Sequence, residues 1–159
     1  MDLAVLAQRL VDELSEIEQI IARIKTAWQQ FQRSSDSLYL DSVALNLHGF
    51  YNGLEHLFEL IALHVDASRP EGTNWHQRIL DQMALEVPTV RPAIISEDTR
   101  DRLNDYRRFR HIVRHTYTFQ FDPDRIQPFI EALTLTFEQV NAELIAFVQF
   151  IQYSAGSEA

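Results

Sequence analysis

The sequence predicts an all-α fold, an antiparallel bundle of four to five helices. Over most of the chain apolar residues recur every three or four positions, which is the spacing of one helix face. Glycine and proline are scarce, at 4 and 5 of 159 residues, so turns are few and regular elements are long. No stretch alternates apolar and polar residues as a half-buried strand would. Long helices with short connections pack as antiparallel bundles.

The first predicted helix occupies roughly the first thirty residues of the chain. Ser34, Ser35 and Asp36 break this helix and can cap the helix that follows. Every step between its apolar residues is three or four positions. These residues are Leu3, Leu6, Leu10, Leu14, Ile17, Ile21, Ile24, Trp28 and Phe31.

A second long helix is predicted over about 37–65, with its own apolar stripe. Gly49 and Gly53 lie four positions apart within it, so they share one face. Because glycine has no Cβ atom, we expect another helix to approach this face closely.

The middle of the chain contains two loops and a shorter helix. The loop SRPEGT at 68–73 precedes a helix that extends through about Leu85, with Thr73 or Asn74 as its cap. A second linker spans 88–92. Ser96 then precedes Glu97 and Asp98, which is an N-cap followed by acids in the first turn, where the helix dipole favours negative charge.

The fourth predicted helix extends into a run of basic residues and ends near 116–121, where β-branched and aromatic residues cluster. Asp122 and Pro123 then form an N-cap followed by proline at the first helical position. The last helix is predicted to end at about Tyr153. The sequence therefore predicts a single domain over 1–153 and a flexible tail over 154–159.

The composition excludes several classes of protein. The chain has no cysteine, so it has no disulfide and no thiolate metal site, which fits a cytoplasmic protein. The N-terminus is acidic and amphipathic, unlike a secretory signal, and no apolar run is long enough to span a membrane. The sequence also contains no glycine-rich phosphate loop and no HExxH zinc motif. We expect no metal and no cofactor.

The chain has a net charge of −9, yet six of its 14 basic residues lie between positions 100 and 114. Only two acidic residues, Asp101 and Asp105, fall in that interval. A negative protein repels nucleic acid in general, so any contact with it would be confined to this basic stretch. The six arginines are Arg100, Arg102, Arg107, Arg108, Arg110 and Arg114.

The strongest chemical candidate within this stretch is Arg110 with His115. Cleavage of an RNA phosphodiester without a metal needs a general base, a general acid and a cation that stabilises the phosphorane. Histidine exchanges protons near neutral pH, and the arginine fork matches phosphate oxygens. The alternative is a solvated basic helix face whose arginines pair with acidic neighbours.

Helix geometry separates Arg110 from His115. Five steps along an α-helix place two side chains about 140° apart around its axis. The two residues therefore converge only if the helix distorts, or if two copies of the motif meet in a homodimer. In contrast, Arg108 shares a face with His115, Arg110 with Arg114, and His111 with His115.

The stretch FRHIVRHTY at 109–117 resembles the signature of the HEPN superfamily, which has arginine, a polar residue and then histidine after four to six residues. The tyrosine two positions after His115 is similar to that of HepT-like toxins from HEPN/MNT toxin–antitoxin pairs. The stretch WHQRILDQM, the triplet Val-Arg-Pro at 90–92 and the run FDPDR after the motif strengthen the likeness, which covers about 38–133. This chain has His111 where the superfamily often has Asn or Asp.

The resemblance implies a homodimeric, metal-independent endoribonuclease toxin. Arg110 would bind the phosphate and His115 would transfer protons, with the division of acid and base roles between His111 and His115 left open. Tyr117 would be the hydroxyl that an MNT-type nucleotidyltransferase antitoxin modifies with AMP, which would oppose RNA phosphate by charge and bulk. Two alternatives remain: a non-catalytic HEPN module that binds nucleotide or RNA, and a helical scaffold that docks an acidic partner.

A second group of polar residues lies on one helix, namely His48, Asn52, Glu55, His56 and Glu59. The spacing allows metal ligation. A polar helix face is the better interpretation, and in it Glu55 or Glu59 orients Arg110 or Arg114.

His64, Trp75 and His76 lie near the first loop and are expected to pack there, although Trp75 could also stack on RNA. Arg108, Arg114 and His111 are expected to support the site.

Overall fold

The computed structural model describes residues 1–117 and 120–157, and this part of the chain contains five α-helices and no strand. The all-α prediction is therefore confirmed. The order and the approximate bounds of the helices also agree with the sequence pattern. The helices are α1 (Leu3–Ser34), α2 (Ser37–His64), α3 (Trp75–Met83), α4 (Glu97–His115) and α5 (Pro123–Ser157).

The first two helices form a tight hairpin. Asp2 caps α1 by accepting a hydrogen bond from the Ala4 amide at 3.2 Å. Ser35 adopts the left-handed conformation, with φ of 57°, and its amide bonds the Phe31 carbonyl at 2.8 Å. Asp36 then caps α2 through the Leu38 amide at 3.0 Å. The predicted break at 34–36 is thus a two-residue reversal with a cap on either side.

Helix α2 is the centre of the bundle, because it packs against α1, α3 and α4. Helix α1 also contacts α5, which in turn contacts α4. The apolar stripes predicted from the sequence meet in one core. Its largest fully buried side chains include Phe50, Tyr51 and Phe58 from α2, Leu10 and Ile24 from α1, and Ile79 and Leu80 from α3.

The two glycines of α2 face α1, as their shared face predicted. A Cβ atom on Gly53 would lie 2.9 Å from Cγ1 and 3.1 Å from Cδ1 of Ile17. At Gly49 the corresponding Cβ would lie 4.0 Å from Cδ1 of Ile20, an ordinary van der Waals distance. Only Gly53 is therefore needed for the close approach of the two helices.

We expect alanine substitutions at these two glycines to have opposite effects on stability. Gly49→Ala gains helix propensity and should raise the free energy of unfolding by about 0.5–1 kcal/mol. Gly53→Ala gains the same propensity but displaces Ile17, and overpacking costs about 1–3 kcal/mol, so a net loss of about 1 kcal/mol is expected. Urea denaturation of both variants provides the measurement. Equal stabilisation by the two substitutions would show that α1 does not approach Gly53 closely.

A buried ion pair fixes the segment between α2 and α4. Arg91 and Asp66 have side chains that are 0% and 2% exposed, and their two bonds measure 2.6 and 2.7 Å. The remaining guanidinium hydrogens reach the carbonyls of Leu85, Pro92 and Gln82 at 2.8, 3.0 and 3.2 Å. All five donors of the guanidinium are thereby used. The loop 84–96 is consequently attached to the end of α2 and to α3.

Hydrogen bonds connect α4 to α5 at two places, at the start of α4 and near its middle. Ser96 caps α4 by accepting from the Thr99 amide at 3.1 Å, and Glu143 of α5 accepts from the Ser96 amide at 2.7 Å. Further along, the Tyr106 hydroxyl donates to the Phe129 carbonyl at 2.8 Å. Burial raises the pKa of Tyr106 to about 12, so the hydroxyl remains a donor. These bonds hold α4 in a fixed position over the core.

Several helix ends differ from the predictions. Helix α3 ends at Met83 rather than near Leu85, and Asn74 occupies its N-cap position without a side-chain capping bond. Helix α5 continues to Ser157, four residues beyond the predicted end at Tyr153. This extension follows from the absence of a strong stop signal, because Gly156 alone does not end a helix. The last two residues lie outside the described part of the chain.

None of the helices in 1–117 and 120–157 is both long and apolar enough to cross a membrane.

Candidate functional site

The predicted motif occupies the last two turns of α4. The helix is regular from Glu97 to His115, and its final residue is His115 itself. Arg110 points inward and is 8% exposed, whereas His111, Arg114 and His115 are exposed. The structure therefore does not bring Arg110 and His115 together within one chain, as the 140° offset predicted. Helix distortion, one of the two ways in which they could converge, does not occur in this helix.

Arg110 is held by side chains from α2. Its Nη1 donates to Oδ1 of Asn52 at 2.8 Å and to Oε1 of Glu55 at 3.0 Å. The ring of Tyr51 lies beside the guanidinium, 5.9 Å from its Cζ atom. Glu55 is 4% exposed, so the ion pair is buried. Of the two acids on α2 that the sequence offered as partners of the basic helix, Glu55 is the one that contacts Arg110.

His76 of α3 is a site residue that the sequence analysis did not assign. Its Nδ1 lies 2.9 Å from both carboxylate oxygens of Glu55. Nη2 of Arg110 lies 3.1 and 3.2 Å from the two ring nitrogens. The His76 ring also packs on Trp75, with centroids 3.8 Å apart, and Arg69 lies 5.2 Å from the Trp75 ring. Trp75 thus serves to position His76, as the packing interpretation expected.

A second histidine connects to Arg110 through Asn52. Nδ2 of Asn52 lies 3.2 Å from Nδ1 of His48, while its Oδ1 accepts from Arg110. Because Arg110 fixes the amide oxygen, the amide nitrogen faces the histidine and donates to it. Burial, and then the positive charges of Arg110 and Arg114, lower the pKa of His48, with Glu55 acting in the opposite direction. This environment favours the neutral form of His48.

His111 and His115 form an exposed pair at the end of α4. Their ring centroids are 4.3 Å apart with a tilt of 52°, as expected of residues four apart on one face. Either imidazole could exchange protons with a ligand on this face. The geometry of one chain does not assign the acid role to one of the two histidines and the base role to the other.

Tyr117 follows the end of α4 and is 73% exposed. A side chain this accessible can reach a modifying enzyme. The two residues after it, Thr118 and Phe119, lie outside the described part of the chain. They belong to the stretch where the helix was predicted to end. Thr116 has extended backbone angles, so the predicted end of the helix near this point is confirmed.

A cleft of about 450 Å³ opens beside Arg110, between α4 and the start of α3. His76 and His111 face it from the two helices. The cleft can accommodate an anionic group because it is lined by several cations. The lining arginines are Arg107, Arg108, Arg110 and Arg114.

The flanking arginines are only partly neutralised. Arg107 donates to Oδ1 of Asn104 at 2.9 Å, and Arg102 pairs with Asp98 at 3.0 Å. Among the ion pairs of the described residues, none involves Arg108 or Arg114. A solvated face whose arginines all pair with acidic neighbours therefore does not describe this surface.

Glu59 and His56 of α2 pair with groups other than Arg110. Glu59 pairs with Arg69 at 2.8 Å, and His56 lies 3.5 Å from Glu13 of α1. Within the described ranges, no three His, Asp or Glu side chains form a group that could hold a metal ion. On this polar face of α2, Asn52 and Glu55 are the residues that contact Arg110.

A protein-family model described as HepT-like protein matches residues 42–151. No curated protein and no solved structure matches the chain. The matched residues include the Arg110 network, the His111 and His115 pair, and Tyr117, whereas α1 lies outside the match.

Proposed function

Because this chain belongs to the HepT-like family of the HEPN superfamily, we propose that it is a metal-independent endoribonuclease toxin. Arg110 carries the proposal. It is a buried arginine, fixed by Asn52 and Glu55, that lines a cleft with three further arginines. A fixed guanidinium at the wall of a cationic cleft is suited to binding and polarising a phosphodiester. The proposal places the protein in the cytoplasm, a reducing compartment that a chain without cysteine fits.

Hydrogen-bond geometry supports phosphate binding at one edge of the Arg110 guanidinium. Asn52 and Glu55 use both hydrogens of Nη1, and His76 uses one hydrogen of Nη2. Among the hydrogen bonds of the described residues, none is donated by Nε. The Nε and remaining Nη2 hydrogens lie on one edge of the fork, and this edge can bind two phosphate oxygens.

The proton-transfer residue in this proposal comes from a second copy of the chain. Arg110 and His115 diverge on a regular helix, so a homodimer would supply His115 to the partner's Arg110. An exposed apolar residue supports this side of α4 as the surface through which two copies would meet. Ile112 is 46% exposed, lies between Arg108 and His115 on one side of α4, and borders a 330 Å³ hollow lined by Phe109 and Phe129.

The nuclease proposal predicts RNA cleavage by the purified protein in EDTA. His115→Ala should slow cleavage by about 10²–10⁴-fold, the usual contribution of a general acid or base. The fold should survive, because His115 is exposed at the end of α4. Rates on a fluorescent RNA and circular dichroism would be measured together. Cleavage by His115→Ala at the wild-type rate, with contaminating nuclease excluded, would refute the assignment.

Inhibition is proposed to occur by AMPylation of Tyr117 by an MNT-type nucleotidyltransferase antitoxin. The exposed phenol of Tyr117 accepts the AMP group. The negative charge of AMP then lies two residues from His115, where it opposes RNA phosphate. Intact mass after co-expression should show one or more added AMP units in the wild type and none in Tyr117→Phe. An unmodified wild type would remove this part of the proposal.

One observation favours a second candidate, a HEPN module that binds RNA or nucleotide without cleaving it. Glu55 already neutralises Arg110, and His115 diverges from Arg110 on a regular helix, so a single chain does not bring the arginine and this histidine together. Such a module needs no dimer. It would bind the oligonucleotide used below yet leave RNA intact, whereas the toxin both binds and cleaves.

A further inference from the structure

His76 is bound on two sides by groups of opposite charge. Glu55 contacts its Nδ1 at 2.9 Å, and Nη2 of Arg110 lies 3.1 and 3.2 Å from its ring nitrogens. A neutral imidazole satisfies both partners when Nδ1 carries the proton and Nε2 accepts from Arg110. The side chain is nevertheless 28% exposed and faces the cleft, so solvent can deliver a second proton.

In the absence of a ligand, the charges of Arg110 and Glu55 cancel. Arg110 contributes one positive charge and Glu55 one negative charge, and their side chains are 10% and 5% exposed. A phosphate at Arg110 would add a negative charge close to the Glu55 carboxylate. An uncompensated charge at a buried position is costly, so binding favours the uptake of a positive charge nearby.

His76 is the residue that can supply that charge. Among the described residues, the groups that hydrogen-bond the Arg110 guanidinium or lie against it are Asn52, Glu55, His76 and the Tyr51 ring, and of these only histidine becomes a cation near neutral pH. Protonation also changes the hydrogen bonds. A protonated Nε2 no longer accepts from Arg110, so Nε2–H and Nη2–H can both donate to phosphate oxygens, while Nδ1–H remains on Glu55.

We propose that His76 takes up a proton from solvent when a phosphate of RNA binds at Arg110, so that ligand binding at this site is coupled to proton uptake. The identity of the ligand rests on the proposed function, whereas the coupling rests on the contacts of His76. Other charged or titratable groups also face this region and act on the same equilibrium. They are Glu55, His48 and Glu59 on α2, Arg69 before α3, which pairs with Glu59, and Arg107, Arg108, Arg114 and His111 on α4.

The test uses a short 2′-O-methyl RNA oligonucleotide, which binds but lacks the nucleophilic hydroxyl. Calorimetric titrations near neutral pH in two buffers with different ionisation enthalpies give the number of protons taken up. Wild type should take up more protons per site than His76→Gln, because the variant lacks the imidazole that would gain the proton. Its affinity should also fall more steeply with rising pH, by up to about tenfold per unit.

His56→Gln is the matched control, because His56 adjoins Glu55 in sequence, also lies near a glutamate, and faces α1. It should take up as many protons as wild type. Glu55→Gln is a second, isosteric variant that leaves the charge of Arg110 uncompensated. It should bind the oligonucleotide at about pH 8 at least as tightly as wild type, without the extra proton, because the phosphate then supplies the missing negative charge.

Equal proton uptake by wild type and by a folded His76→Gln would overturn the inference, as would full uptake by Glu55→Gln. These outcomes are independent of catalysis. If the protein shows the coupling but does not cleave RNA, the inference holds and the nuclease proposal fails. If it cleaves RNA without the coupling, the nuclease proposal holds and the inference fails. A wild type that does not bind the oligonucleotide contradicts both.

Discussion

Replacing Arg91 with methionine is expected to lower the free energy of unfolding by about 3–5 kcal/mol, the cost of removing one partner from a buried ion pair. Methionine fills much of the same space but leaves the Asp66 carboxylate buried without its cation. It also leaves the carbonyls of Leu85, Pro92 and Gln82 without the guanidinium donors. The melting temperature should fall by about 6–20 °C for a chain of this size.

Arg102→Met provides the control for this substitution. Arg102 pairs with Asp98 one turn away on α4, and both side chains are substantially exposed. Surface pairs of this kind contribute about 0.3–0.5 kcal/mol. Thermal unfolding of both variants, followed by circular dichroism, makes the comparison. If Arg91→Met lost no more stability than Arg102→Met, the loop 84–96 would not depend on this ion pair.

Arg110→Lys is expected to reduce RNA cleavage by about 10²–10³-fold, similar to the loss of a donor that stabilises a developing anion. Lysine retains the positive charge, so long-range attraction of RNA to the cleft is preserved. It cannot, however, bond Asn52, Glu55 and His76 while presenting a two-donor edge to phosphate. Arg110→Lys leaves the net charge of the protein unchanged, so the loss of rate would come from the missing guanidinium fork.

Arg102→Lys, on the same helix but paired with Asp98, should leave the rate within about twofold, since exposed arginines and lysines differ little in charge. Initial rates on the same fluorescent RNA, with melting curves for both variants, separate chemistry from stability. Wild-type activity in a folded Arg110→Lys would mean that the cleft needs only positive charge at this position. The role assigned to the guanidinium fork would then be wrong.

The helices could be predicted from the sequence because each has a long apolar stripe and chemically explicit ends. Asp36, Ser96 and Asp122 were all expected as caps, and all three accept a backbone hydrogen bond from the helix that follows. Ends without such signals were placed less accurately. Helix α5 passes Tyr153, and α3 stops before Leu85, because neither position carries a residue that dictates where a helix ends.

The site was only half predictable, for a different reason. Arg110 and His115 lie in one motif, and helix periodicity alone indicated that they diverge. The residues that hold Arg110 are 58, 55 and 34 positions away, so their pairing depends on how α2 and α3 pack. Glu55 was accessible to reasoning because a basic helix needs an acidic partner. Nothing in the local sequence of His76 distinguishes it from a packing residue.

The contrast between a buried Arg110 and an exposed His115 has a consequence for how this protein can change over generations. Losing His115 removes a side chain at a helix end and leaves the core intact. Losing Arg110 leaves the buried carboxylate of Glu55 without its cation, so the chain is expected to lose stability as well as the proposed activity. Descendants that drift towards inactivity should therefore discard the histidine first and retain the arginine as part of the scaffold.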